Sequence, residues 1–150
     1  MTHTVHIIEN NNAQVYIMVN KKRHTLETLK HDAVYGDAHY QKKNAARSRF
    51  IRENHDTITI QYVKVDQELK TLKQVLDFRQ QFIANYGFDN YVIVDDEYYA
   101  TLDAPADTNF DRVLEAVNIK KLIQVWGKDV LMKARKTLTV KEFVQHFGSV

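Results

Sequence analysis

The stretch TVHIIENNNAQVYIMVN, residues 4–20, constrains the fold more than any other part of the chain. Two apolar bursts, Val5–Ile8 and Val15–Val19, flank the polar run Glu9-Asn10-Asn11-Asn12. Asparagine tolerates the left-handed backbone that a tight turn demands. The segment therefore reads as a β-hairpin with strands over 4–9 and 14–20. It places a ring, His6, on one strand and Tyr16 on the other.

A third strand follows from DTITIQYVKVD, residues 56–66, which alternates strictly and is rich in β-branched residues. Ile58, Ile60, Tyr62 and Lys64 share one face; Thr57, Thr59, Gln61, Val63 and Val65 share the other. Between hairpin and third strand, Thr25 can cap a first helix with Leu26 and Leu29 inward, ended by Gly36. A second helix over 38–53 sets Tyr40, Asn44, Arg47 and Ile51 on one face. Beyond the third strand, Asp66 is expected to cap a long helix over 67–86. Leu69, Leu72, Leu76, Ile83 and Tyr86 form its apolar stripe, and Gly87 stops it. Residues 91–100, YVIVDDEYYA, read as one more strand or an extended arm, and DAPADTN as a loop. A helix over 109–126 follows, bent off at Gly127. Thr139 and Glu142 have the spacing of a capping box for a last helix.

The order hairpin, helices, strand, helix gives the α+β class with a three-stranded core sheet. Residues 1–88 form that core. Residues 89–150 form an acidic strand or loop and a helical C-terminal extension, expected to belong to the same domain. No cysteine occurs among the 150 residues, which removes disulfides, thiolate metal sites and cysteine nucleophiles. No apolar run approaches the roughly 20 residues of a membrane helix, and MTHTVHIIENN lacks the pattern of a signal peptide. A soluble, cytoplasmic protein without a membrane partner is expected.

Charge is segregated although the net value is only +2. Residues 20–52 hold nine Lys/Arg against three acids, 85–118 hold eight acids against one Arg, and 119–150 hold seven Lys/Arg against two acids. Such blocks suit a polyanion partner better than an evenly mixed surface does.

The arrangement of residues 4–86 resembles the GIY-YIG nuclease superfamily. TVH (4–6) stands where the first motif would be and YIM (16–18) where the second would be. TLETLKH (25–31) is similar to the family's leucine-arginine helix. NAARSRFIREN (44–54) leads into the third strand, and LDFRQQFIANYG (76–87) is similar to the last helix. The resemblance implies a phosphodiesterase site in which tyrosines handle the attacking water, an arginine stabilises charge and a glutamate holds a divalent metal. Tyr16 matches the second tyrosine, and His6 stands for the first, a possible base. The arginine position falls near Leu29, with Arg23 and Lys30 off register.

The glutamate position is Arg79, and a guanidinium repels Mg²⁺. Asp77, two residues away, lies on roughly the opposite side of the helix. The motif glycines are missing at Thr4 and Met18. The chain is thus expected to be a degenerate member that has lost metal catalysis, with no metal and no cofactor. It would bind DNA, or a nucleic-acid-handling protein, through Arg23, Lys30, Lys42, Lys43, Arg47, Arg49 and Arg52.

Two alternatives stay open. One is an active Mg²⁺-dependent endonuclease using His6, Tyr16 and a displaced acid. The other is a small inhibitor or adaptor of the kind a phage or mobile element directs against a host nuclease. Its interface candidates are Asp95, Asp96, Glu97, Tyr98 and Tyr99. The seven histidines show no metal-ligand spacing, and no glycine-rich phosphate loop occurs.

Overall fold

A computed structural model of the chain describes residues 2–148, which form two compact units divided between Asp96 and Glu97. The architecture is α+β.

The first unit is built on the hairpin. Strands β1 (Thr4–Glu9) and β2 (Gln14–Asn20) pair antiparallel, from Thr4 opposite Asn20 to Glu9 opposite Val15. Asn10 organises the turn: its Oδ1 accepts from the backbone N–H groups of Asn12 and Gln14, both at 3.0 Å. The left-handed residue is Ala13 (φ 57°) rather than one of the asparagines. The expected third strand, β3 (Thr59–Lys64), pairs antiparallel with the other edge of β1. A two-residue strand, β4 (Val92–Ile93), adds parallel to β2. The sheet is therefore four-stranded and mixed, in the order β3-β1-β2-β4, and not three-stranded. A strand this short is set by its tertiary partner, not by any pattern of its own.

One sheet face carries Val5, Ile7, Val15 and Ile17, joined by Val65 and Leu69. Helix α4 (Leu72–Asn85) covers it through Val75, Phe78, Phe82 and Ile83. This corrects the expected helix in two ways. It begins at Leu72, behind a capping box of Thr71 and Gln74, so Asp66 is not its cap. Its apolar stripe is 75, 78, 82, 83, while Leu72 and Leu76 are 74% and 53% exposed. A leucine count cannot fix helical phase when phenylalanines one step away offer more area to bury.

The opposite face carries His6, Ile8, Tyr16, Met18, Ile60 and Tyr62, by the registers of the two ladders. Helix α1 (Leu26–Tyr35) is capped by Thr25 as expected and buries Leu29 and Ala33. The expected helix over 38–53 is two helices, α2 (Ala38–Lys43) and α3 (Ala45–Glu53). They are divided at Asn44, where the backbone leaves the helical region (φ −120°, ψ 36°). The Asn44 side chain donates to the Tyr40 carbonyl at 3.0 Å, offering the backbone an alternative to the helix. Helix α3 buries Ala46, Arg47, Ser48, Phe50 and Ile51.

The second unit is helical. Helices α5 (Asp96–Asp103), α6 (Phe110–Ala116), α7 (Ile119–Trp126), α8 (Lys128–Thr137) and α9 (Val140–Phe147) follow in order. Ala106, Val113, Leu122, Leu131, Val140, Phe143 and Phe147 form its core. The expected helix over 109–126 breaks at Val117, because Asn118 caps α7 with a side-chain bond to the Lys121 N–H. The capping box at α9 forms as the spacing predicts. The 91–100 segment is an extended arm only at its start. From Asp96 it is helix, so the acids Asp96 and Glu97 project from a helical turn. Among the described residues no helix is long and apolar enough to cross a membrane.

The α4 register is checked by equilibrium unfolding in urea. Leu76→Ala should change stability by less than about 0.5 kcal/mol, as exposed sites do. Ile17→Ala, in the fully buried face, should cost about 2–5 kcal/mol.

Candidate functional site

Polar and charged side chains converge on the sheet face that carries Tyr16 and Met18. Its register brings His6 and Tyr16 to one side of the hairpin, as the two-residue period of a strand requires. Two clusters form there.

The first cluster centres on His6, which is fully buried. Its Nε2 accepts from the His24 backbone N–H at 2.9 Å, so its proton sits on Nδ1, facing the Thr4 carbonyl at 3.2 Å. Tyr62, opposite it on β3, sets its ring edge-on at 5.3 Å and donates its hydroxyl to the His24 carbonyl at 2.6 Å. The Arg23 guanidinium lies over the Tyr62 ring, 3.9 Å from its centroid. Burial, and then the neighbouring His24, hold the His6 pKa below its ordinary 6.5. His6 is thus a neutral ring with both nitrogens engaged. It fastens the β2–α1 link to the sheet and has no lone pair to offer a water.

The second cluster surrounds Tyr16. Arg47 reaches in from α3: one terminal nitrogen donates to the Met18 sulfur and the other to the Tyr40 hydroxyl at 3.0 Å. Its Nε is buried without a partner among the described residues. Arg79 comes from α4 on the opposite side, and its Nε donates to the Ile17 carbonyl at 2.8 Å. Burial raises the Tyr16 pKa, against the pull of Arg47 and Arg79 and with a push from Asp96 and Asp95. The phenol therefore stays protonated at neutral pH and can donate a hydrogen bond, but it is not a base.

Among the described residues no group of three or more His, Asp or Glu side chains could hold a metal ion. Arg79, at the position where the resemblance implied a metal-binding carboxylate, donates instead to the backbone of β2.

The remaining expected residues do not lie on a single surface. Lys42 and Lys43 are exposed on α2. Arg49 pairs with Glu53 at 3.4 Å. Arg52 donates to the Ala33 carbonyl at 2.9 Å and to the Gln41 side chain at 3.1 Å, which holds it against α1 and α2. Lys30 is half-buried on α1. Arg47 is no part of an outer basic face, being 8% exposed. It is buried because the 4-3-4 stripe it shares with Tyr40 and Ile51 faces inward. Asp95, Asp96 and Glu97 lie at the end of β4 and the start of α5, and Tyr98 is half-buried. Tyr99 is buried and cannot serve as an exposed interface anchor.

Three participants escaped the sequence reading: His24 and Tyr62 as partners of His6, and Arg79 as a group acting on β2. Arg79 could have been found from its four-residue step after Val75, which carries it to the sheet side of α4.

No family model matches the chain, and neither the curated proteins nor the solved structures give a significant match.

The buried neutral ring has a measurable consequence. In the unfolded chain His6 takes up a proton near 6.5, whereas in the folded chain it resists until lower pH. Protonation therefore drains toward the unfolded state, and stability present above about 6.5 is lost as pH falls below it. His3 and His24 are depressed in the same direction and add to the slope. Urea midpoints should drop between pH 7 and 5, and NMR titration should show the His6 ring taking up its proton at lower pH in the folded chain than in the urea-unfolded chain.

Proposed function

We propose that this chain is a nucleic-acid-binding module whose first unit is a degenerate GIY-YIG-type scaffold without metal-dependent catalysis. The observation that carries this reading is the state of the two motif positions. His6 and Tyr16 share a sheet face, as that scaffold requires. Yet one is a fully engaged buried ring and the other a protonated phenol, and a guanidinium stands where the metal ligand would be. Hydrolysis of a phosphodiester needs an activated water and a counter to the developing charge. Here the counter-charge is present and the activation is missing.

The element order agrees with this reading: hairpin, helices, then a third strand on the far edge of β1, then a covering helix. The binding role rests on the basic block. Lys42 and Lys43 project from α2 into solvent and carry it, while Arg49 is paired with Glu53 and Arg52 is tied to α1 and α2. DNA is the partner that this charge fits best. Contact would be through phosphates and so largely indifferent to sequence.

Two measurements test it. Binding of a fluorescent duplex should weaken with salt at a log–log slope near −0.9 per phosphate contacted. The double variant Lys42→Glu, Lys43→Glu should lower affinity by about tenfold or more, since it removes two such contacts and adds repulsion. Supercoiled plasmid with Mg²⁺ or Mn²⁺ should remain intact with the wild type and with Tyr16→Phe alike. Nicking abolished by Tyr16→Phe would instead establish a working nuclease. No duplex binding, together with a host protein retained after nuclease digestion, would establish the inhibitor or adaptor.

A further inference from the structure

Residues 119–150, in the second unit, hold seven Lys/Arg against two acids. Glu142, one of the two acids, is engaged in the capping box of α9, and Arg135 is paired with Asp107 at 2.8 Å. Lys120, Lys121, Lys128, Lys133 and Lys136 are exposed, and among the described residues none of them is in an ion pair. Between Lys121 and Lys128 stands the chain's single tryptophan. Trp126 is the last residue of α7 and is 42% exposed.

The indole is held in place although it is exposed. Phe147, in the core of the unit, meets it edge-on at 5.6 Å, and the His146 ring lies 6.2 Å away, tilted by 38°. Lys120, Ile123 and Trp126 follow at three-residue steps and so form one slanting row on α7. Ile123, in the middle of that row, is 43% exposed. Gly127, in the left-handed region (φ 87°), ends α7 directly after the indole, and α8 starts with Lys128. A flat apolar ring thus has one cation in its own row and another two residues further along the chain.

We propose that Trp126, Lys120 and Lys128 form a contact site for single-stranded nucleic acid, with a base stacked on the indole and the neighbouring phosphates on the lysines. This rests on the nucleic-acid-binding reading given above and adds to it a second contact, of a different kind and in the other unit. Charge selects the occupant. Lysines without acidic partners repel a second copy of the same face and attract a polyanion. The ring then selects among polyanions. In a duplex the base faces are covered by one another, whereas a single strand offers them to an aromatic side chain. Stacking needs only a π-face, so the contact is tolerant of base sequence.

Because the tryptophan is single, its fluorescence in the full chain reports on this face alone. The probes are the tetranucleotide dT4 and its abasic counterpart, which keeps the phosphates and lacks the bases. Addition of dT4 should quench the emission saturably, with a log–log salt slope near −0.7 per phosphate contacted. The abasic strand should bind about tenfold more weakly and leave the emission nearly unchanged. Lys120→Gln with Lys128→Gln should weaken dT4 binding about tenfold and flatten the salt slope. Trp126→Phe, which keeps a ring against Phe147, should weaken binding of fluorescein-labelled dT4 several-fold with an unchanged melting curve, and Trp126→Ala should weaken it about tenfold. Lys42→Glu with Lys43→Glu should leave the quenching by dT4 unaltered.

The proposal is overturned if dT4 leaves the emission unchanged, if the abasic strand quenches as strongly as dT4, or if the lysine variant and Trp126→Phe both bind like wild type. It is also overturned if the emission moves to the blue with protein concentration alone, which marks a second copy on this face, or with anionic phospholipid vesicles and not with dT4. Loss of the broader reading looks different. Duplex binding that depends on Lys42 and Lys43, with a silent Trp126, would refute only this contact. Quenching by dT4 without any affinity for duplex DNA would refute the role of the α2 lysines and leave this contact standing.

Discussion

Strand β1 sits between β2 and β3 and has neither an edge nor a face to spare. Both its backbone ladders are filled, and Val5, His6, Ile7 and Ile8 are all buried. A position of this kind demands that every polar group find a partner inside the protein. Three of the four residues meet the demand by having no polar side chain. His6 meets it by recruiting the His24 N–H and the Thr4 carbonyl. Much of the local architecture follows from satisfying that one imidazole. The link between β2 and α1 is drawn down over the sheet, Tyr62 closes over it, and Arg23 is laid across Tyr62. The histidine is the most chemically suggestive residue of the hairpin, and its chemistry is consumed by folding.

The central three strands were legible because their signal is local and redundant. Residues 4–20 supply paired apolar bursts with a turn between them, and 56–66 alternate without interruption. The elements misread are those in which a distant partner decides. Val92 and Ile93 become a strand because the carbonyls of Ala13 and Val15 await donors. Asp96 and its neighbours turn helical although the run YVIV before them is β-rich. In α4 the sheet selects Phe78 and Phe82 over Leu72 and Leu76, rotating the expected inward face. Asn44 ends α2 and Asn118 starts α7, each through its own side chain. Asparagine in an otherwise helical stretch marked the boundaries better than the apolar period did.

The site was legible to the same depth. The sequence set one ring on each strand of the hairpin, and the pairing register, with Met18 opposite His6 and Tyr16 opposite Ile8, puts both on one face. The register is silent on whether a polar atom there is free. That depends on the backbone of His24, eighteen residues away, and on Arg47 and Arg79, which arrive from helices on opposite sides of the sheet. Arg47 carried a conflicting signal, since a cation in an inward stripe reads equally as surface charge or as a buried ligand of a polar core. Its resolution came from Met18 and Tyr40, one from each flanking element.

Arg79 has a consequence for association. A β-sheet with an open edge is a template on which another chain can add a strand. Here β4 is too short to cover β2, and the carbonyl it leaves bare is occupied by a charged side chain from α4. At the opposite margin, β3 ends in the exposed Lys64. Each border of the sheet thus carries a cation that an incoming strand would have to displace or bury. The guanidinium on the Ile17 carbonyl is thus a bolt on the sheet's unguarded side, set against edge-to-edge pairing through the chain's own strongest strands.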